Sequence, residues 1–595
     1  MPLSLLLVAG LFLANCAAPA EAGDKPAPEV AEAPAAEALL EGTKILRLNL
    51  GGPGDVPTLD PAIAEDTTSL QIIGEAFIGL TYLDAVHEAY KAGMATRWDT
   101  ADNPDGTQAI TFHIRNDVPW VRWNGEEVET VKSCDGASDR LVDAHDFAYG
   151  IERNLNPASA SPYAYLWGFV LQGAADYNNG VTADFSSVGV RVIDDFTIQL
   201  TFLGPAAYNV QIAGMWIGQP QPRWVIEGDC DGAMEARGER WTEPGFFQSY
   251  GPYTMSEWIH DSQLILVKNP YWPGTEAVPA PRIDEIRFSM IDAAAAFSEY
   301  EAENLDQTFV PPDQMDRVQA DPVLSREMMI VPATCSAYFG FNTTAPVVND
   351  VRVRRALSMA IDRQALIDNL LKGGQEAAQW FGNPGITGAP TMQTHPDLGI
   401  KYDPEAARGE LQSYLDETGQ SADDLDLTVM FTTSATNQGM AEAVQQMWFS
   451  ELGVQAQLVS QEWAVYLTTT RSLDTPQIWR LGWCYDYPDE NNFVRDVFAS
   501  SGAGNPTDAE GRPSGGTMWK NDAFEDLVAR AAVEQDPAKR LAMYVRAEEI
   551  LVDTDAVIIP LYWSTYVYIT KPYVQVPGYA GGGADPLHEW DILPH

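Results

Sequence analysis

The chain has 595 residues, with 36 Lys and Arg against 84 Asp and Glu, a formal net charge of -48. Such a surface repels nucleic acid and anionic lipid headgroups, so neither is an expected partner. A hydrophobic content of 45% with 17 Trp marks a globular chain long enough to bury several cores.

Leu3 to Ala14 is an apolar run too short to span a bilayer but of the length of a signal-peptide core. It ends in Leu13-Ala14-Asn15-Cys16, which resembles a bacterial lipobox. Residues 1–16 are therefore expected to be a lipoprotein signal peptide, with Cys16 the lipidated residue. Asn15 stands where a small residue is usual, and no Lys or Arg precedes the apolar run. A plain secretory signal is the alternative, and it too exports the protein. Residues 17–43 are rich in Ala, Pro and Glu without periodicity and read as a disordered tether. No later run is long and apolar enough for a transmembrane helix.

The body mixes strand and helix patterns. Thr107 to Ile114 alternates as a half-buried strand does, and Val190 to Leu203 reads as a hairpin turning at Asp194-Asp195. Gln263 to Val267 is a strand ended by Asn269-Pro270. Asp350 to Leu371 reads as one amphipathic helix with Val351, Leu357, Ala360, Ile361 and Leu366 on its apolar side. Ala441 to Leu452 and Phe524 to Val533 are further helices. Such alternation predicts α/β lobes.

The most informative stretch runs from Arg480 to Phe493. If extended, it sets Trp483, Tyr485 and Tyr487 on one face and Cys484 and Asp486 on the other. A carboxylate walled by aromatic rings suits a cationic group on a ligand. The competing reading is a buried strand ending in a Pro turn.

Catalytic patterns are missing. The seven His form no H-x-x-H or H-E-x-x-H, and there is no G-x-S-x-G, P-loop or G-x-G-x-x-G. No enzyme activity, cofactor or metal is expected. Beyond Cys16 lie Cys134, Cys230, Cys335 and Cys484, and an even number in an exported chain suggests two disulfides. No C-x-x-C favours zinc.

Short motifs recur in a recognisable order. They include Thr58-Leu-Asp-Pro61, Phe77-Ile-Gly-Leu80, Thr111-Phe-His-Ile-Arg115 and Ala144-His-Asp-Phe-Ala-Tyr149. Tyr250-Gly-Pro-Tyr253, Lys268-Asn-Pro-Tyr-Trp272, Asn349-Asp-Val-Arg-Val-Arg-Arg-Ala-Leu357, Gly482-Trp-Cys-Tyr-Asp-Tyr487 and Ile559-Pro-Leu-Tyr562 follow. From about residue 45 onward the chain resembles the family 5 extracellular solute-binding proteins of ABC transporters, and most of all the periplasmic oligopeptide binders. The resemblance implies a two-lobed periplasmic-binding-protein fold of type II (the Venus-flytrap kind), with an extra subdomain on the first lobe. Lobe I would combine 44–77, 220–334 and 560–595, the subdomain 78–219 and lobe II 335–559.

By the same resemblance, Asp486 would hold a peptide's α-ammonium, Trp483 and Trp463 would wall side-chain pockets, and Arg480 would meet a carboxylate. Glu65, Tyr163 and Tyr338 would also face the ligand. Asn437 stands where the family has a histidine near the peptide C-terminus, and Leu371, beside Lys372, where it has a lysine. Cys335 and Cys484 match the family's disulfide. Insertions around 131–140 and 228–237, each with Cys-Asp-Gly, would be joined by a second bridge, Cys134 to Cys230. Two acidic calcium-binding turns are the rival reading of these insertions, with too few carboxylates in each.

The function implied is capture of short peptides by a monomeric, lipid-anchored periplasmic protein that delivers them to an inner-membrane ABC permease. The same fold holding a sugar, nickel chelate, haem or opine is the alternative, and an exported hydrolase a remoter one. The close spacing of Arg480 and Asp486 leads to an expected preference for di- to tetrapeptides.

Overall fold

A computed structural model describes residues 42–595 except 51–53, 85–88, 509–510, 580 and 583. The expected signal peptide, Cys16 and nearly all of the tether lie outside the described residues. No helix among the described residues is long and apolar enough to cross a membrane. Residues 44–595 pack as one unit.

Three main sheets carry the architecture. The first orders Ile45–Asn49, Glu285–Ser289, Gln263–Lys268 and Tyr253–Ile259, with the first pair parallel and the others antiparallel. The second is antiparallel throughout: Ala95–Asp102, Gln108–Ile114, Thr197–Phe202 and Val190–Asp194. Its hairpin turns at Asp194-Asp195, where the Asp194 side chain accepts from Phe196 N at 3.0 Å.

The third sheet orders Gln307–Phe309, Ile558–Thr570, Met328–Phe341, Ile478–Cys484, Leu427–Thr432 and Ala456–Gln461. Its two long strands run antiparallel along each other. One end of the Ile558–Thr570 strand packs with Phe297, Tyr300 and Val318, and its other end with Phe339, Leu357 and Trp448. The same pair of strands therefore belongs to two separate cores.

Helix ends follow local chemistry. Ala435–Leu452 starts at Ser434, whose hydroxyl accepts from Asn437 N, and stops at Gly453 with φ 70°. The expected continuous helix over Asp350–Leu371 is instead broken. Val351–Met359 is helical, the chain turns at Ala360–Asp362, and Arg363–Leu366 restarts it before a wider turn at Ile367–Leu371. The Asp362 carboxylate accepts from Ala365 N at 3.0 Å and so caps a new helix where the old one would have continued. The Arg363 guanidinium holds the break, donating to the carbonyls of Pro560, Ser358 and Ile361. The apolar periodicity persists across it: Leu357, Ala360, Ile361 and Leu366 are all buried.

Two disulfides are present, Cys134–Cys230 and Cys335–Cys484. The second joins directly opposed residues of adjacent strands. The first ties the two insertions, with Arg140 bonded to Asp229 at 2.6 Å and lying over Trp224 at 4.4 Å.

One buried polar pair has a measurable consequence. Glu490 and Glu548 are both fully buried. Glu548 accepts from Phe381 N and Gly382 N, while neither Glu490 oxygen has a donor. Burial and the neighbouring Glu548 charge push the Glu490 carboxyl far up, and burial pushes Glu548 up to about 7. Folded pKa values above the unfolded ones mean that the folded state keeps a proton the unfolded chain gives up. The pair's contribution is then greatest below the unfolded glutamate pKa and is lost as pH rises from there, through about 7 for Glu548 and further up for Glu490. Glu490→Gln supplies an N–H to Glu548 without a proton to lose. It is expected to stabilise the protein at pH 8 by about 1–3 kcal/mol and to flatten the pH profile of thermal unfolding. An unchanged profile in calorimetric scans from pH 5 to 8 would count against it.

Candidate functional site

The strand Ile478–Cys484 presents Leu481 and Trp483 on one face and then gives way to a turn. Alternation therefore stops at Cys484, and Tyr485 and Asp486 both line a cavity of about 410 Å³ together with Trp483. Tyr487 instead is fully buried. The turn is held by Asn492 in the first turn of the helix Glu490–Phe498. Its Oδ1 accepts from Asp486 N at 2.9 Å and Trp483 Nε1 at 3.1 Å, and its Nδ2 donates to Asp486 Oδ2 at 2.8 Å.

The opposite wall comes from far upstream. Tyr163 donates its hydroxyl to Asp486 Oδ1 at 3.3 Å, and its ring lies parallel to Trp483, 9° apart in plane and 6.4 Å between centroids. Trp216, Tyr90 and Tyr82 extend the aromatic lining, and Trp463 closes one side from the start of the helix Trp463–Thr470. Gly79 and Gly214 meet back to back in the wall: a Cβ on Gly79 would stand 2.0 Å from Gly214 O. The floor is set by Glu75, which accepts from Leu587 N at 2.7 Å and from His588 Nδ1, whose Nε2 meets Tyr82 Oη at 3.2 Å.

Asp486 is the electrostatic centre. Its carboxyl is pushed up to about 7, chiefly by burial, with the Asp496 charge adding to the rise and the Asn492 and Tyr163 hydrogen bonds opposing it. No ion pair to it exists among the described residues. Glu65, by contrast, is paired with Arg471, the residue that ends the helix Trp463–Thr470. Burial raises the Glu65 carboxyl, and the Arg471 charge opposes that rise. Glu65 and Arg471 also line a second cavity of about 700 Å³, walled by Tyr165, Phe169, Ser501 and Pro506, so their pair stands between the two spaces.

Of the residues singled out from sequence, Asp486, Trp483, Trp463, Glu65 and Tyr163 converge on the first cavity. Arg480, Tyr338 and Asn437 line neither cavity. Arg480 alternates to the other face of its strand and donates to Tyr562 Oη at 2.9 Å. Tyr338 is fully buried among Phe381, Trp479 and Phe498. Asn437 folds back onto Thr432, and Lys372 pairs with Asp316 at 2.6 Å. Arg471 and Asn492 escaped the sequence reading. Arg471 had one signal: it is the single Lys or Arg between Arg408 and Arg480.

A family model for bacterial extracellular solute-binding proteins, family 5, matches residues 89–505. The chain belongs to this family. It is 29% identical to the periplasmic oligopeptide-binding protein OppA of Escherichia coli K12, covering 94% of this chain and 93% of that one. It is 27% identical to the probable deoxycholate-binding periplasmic protein YgiS of the same organism, covering 90% and 89%. Among solved structures, Haemophilus influenzae OppA in complex with RPPGFSPFR superposes with a TM-score of 0.77 at 23% identity, covering 93% of this chain and all of that one. The murein tripeptide binding protein MppA of Escherichia coli gives 0.77 at 24%, with the same coverage. Its unliganded open form gives 0.59, covering 93% and 98%. The fold is thus the two-lobed type II periplasmic-binding-protein fold, and family members are solute-binding proteins rather than enzymes.

Proposed function

We propose that the protein captures short peptides through a free α-ammonium at Asp486 and delivers them to an inner-membrane ABC permease. The observation that carries this reading is a buried carboxylate walled by aromatic rings, without an ion-pair partner among the described residues. In such surroundings an ammonium gains more from the pairing than it would in water. Arg471, opposite, offers a guanidinium to the peptide carboxylate, which would displace Glu65 from it. Lobes at 44–77, 220–334 and 560–595 and at 335–559, with the subdomain at 78–219, would close on the ligand about the two long strands. Closure then requires that the ligand bind the closed form more tightly than the open one. Export with lipidation at Cys16 completes the reading.

A bile acid, as in the name of one relative, is disfavoured by charge. It brings a carboxylate that Arg471 could meet but no cation to pair with the buried Asp486. Native mass spectrometry of the purified protein, followed by calorimetry with trialanine, glucose and deoxycholate, tests the assignment. Peptide masses and heat from trialanine alone are expected. Binding of either other ligand, with none of trialanine, would overturn it.

A further inference from the structure

Behind Asp486 stands a second carboxylate that peptide capture leaves unused. Asp496 lies on the helix Glu490–Phe498, four residues after Asn492, and is fully buried. One amide joins the two acids: Asn492 Nδ2 reaches Asp486 Oδ2 at 2.8 Å and Asp496 Oδ2 at 3.4 Å. Asp496 also accepts from the Tyr487 hydroxyl and from Asn491 Nδ2 at 3.2 Å.

Among the described residues neither acid has an ion-pair partner, and the nearby cations are engaged elsewhere. Arg495 donates to the Phe169 carbonyl at 2.9 Å and lies 4.5 Å over the Phe169 ring. Arg471 is paired with Glu65, and Arg540 with Asp489 at 2.7 Å. The other groups facing Asp486 are phenols: Tyr163 and Tyr165 at the start of the helix Ala164–Val170, and Tyr90 on the strand Ala89–Ala92. Tyr208 and Tyr165 face Asp496, while Asp489 adds further negative charge.

Two buried carboxylates linked by one amide resist carrying two full charges. Burial pushes Asp496 up to about 6 against the pull of the Arg495 charge and of the Tyr487 and Asn492 hydrogen bonds, and the charge on Asp496 is one of the causes that raise Asp486. The Tyr163 hydroxyl suits either state of Asp486, because it donates to a carboxylate and accepts from a carboxylic acid.

We propose that the Asp486–Asn492–Asp496 cluster keeps one proton while the cleft is empty, that an arriving ammonium expels it to solvent, and that Asp496 is the positioning residue that sets this coupling. The exchange balances: a protonated cluster and a ligand ammonium become an ionised cluster paired with that ammonium, plus one free proton. Capture then weakens in acid and is proton-releasing. This rests on the ammonium reading of Asp486.

Calorimetry with trialanine in pairs of buffers of different ionisation heat, from pH 5.5 to 8.5, tests it in the wild-type protein. Release of close to one proton per ligand is expected in the acid range, passing through zero to net uptake toward pH 8.5, where the free peptide's α-amino group, with a pKa of about 8, must itself gain a proton to bind as an ammonium. Affinity should drop by up to tenfold per pH unit below the transition. Asp496→Asn removes the neighbouring charge that disfavours ionised Asp486, so the transition should move to lower pH, and Asp496→Glu should restore it. A flat profile without proton release, with N-acetyltrialanine still failing to bind, overturns the coupling but leaves the amine site standing. Equal binding of free and acetylated peptide overturns both. An Asp496→Asn protein weakened by one factor at every pH, with its transition unmoved, would leave Asp496 a purely structural role.

Discussion

Asp486→Asn is expected to weaken trialanine binding by roughly 3–5 kcal/mol at pH 8, a loss of at least a hundredfold. The reasoning is electrostatic. Asn492 and Tyr163 already donate to the two carboxylate oxygens, and no cation pairs with Asp486 among the described residues. Of the two acids bonded to the turn, Asp486 lines the cavity and Asp496 does not, so only Asp486 can meet a buried ammonium directly. The asparagine keeps the shape and loses the charge, so the ligand's ammonium remains desolvated and unpaired. Acetylating the peptide's amine removes the partner instead and should cost a similar amount in the wild-type protein. The double combination, acetylated peptide with Asp486→Asn, should lose much less than the sum, because the charge pair is then removed from both sides. Isothermal titration of the four combinations measures the coupling. Additive losses would mean that Asp486 shapes the turn without contacting the amine. The measurement belongs at pH 8 because part of the empty wild-type site is protonated near 7.

The strands with strict alternation and the capped helices were legible from sequence, as Gln108–Ile114 and the hairpin Val190–Phe202 illustrate. Local capping chemistry overrode periodicity at Asp362, where a side-chain acceptor broke an otherwise regular helix. At the site, sequence exposed the aromatic and acidic types but misjudged reach. Arg480 lies six residues from Asp486 in sequence, yet alternation turns it away toward Tyr562. Arg471 is farther along the chain and stands in the cavity, because the helix Trp463–Thr470 delivers it there. The expectation that Arg480 favours the shortest peptides therefore passes to Arg471 as a proposal. Asn492 and Asp496 gave no signal of their own. Their role comes from a helix that begins just after the turn and folds back beneath it, which no local pattern specifies.

Removing the two disulfides should have different effects, and the difference separates stability from binding. Cys335–Cys484 closes a loop of 149 residues and Cys134–Cys230 one of 96. Chain entropy sets the upper bound at about 5 kcal/mol for each, since the cost grows only with the logarithm of loop length. The Cys134→Ala/Cys230→Ala protein should thus unfold at lower temperature yet bind trialanine normally, because neither cysteine lines the first or the second cavity. Cys484, however, immediately precedes Tyr485 and Asp486 and itself lines the first cavity. Its bridge to Cys335 pins the end of the strand Ile478–Cys484 where the ladder to the neighbouring strand stops. Without it, the turn carrying Asp486 is held by Asn492, by Tyr163 and by the Tyr485 N bond to the Thr334 carbonyl at 3.3 Å, and the end of the strand should fray more readily. The Cys335→Ala/Cys484→Ala protein should therefore lose both thermal stability and affinity, with faster amide exchange confined to the segment around 482–487. Equal affinities for the two disulfide variants, with unchanged exchange at that turn, would refute a role for this bridge in presenting Asp486.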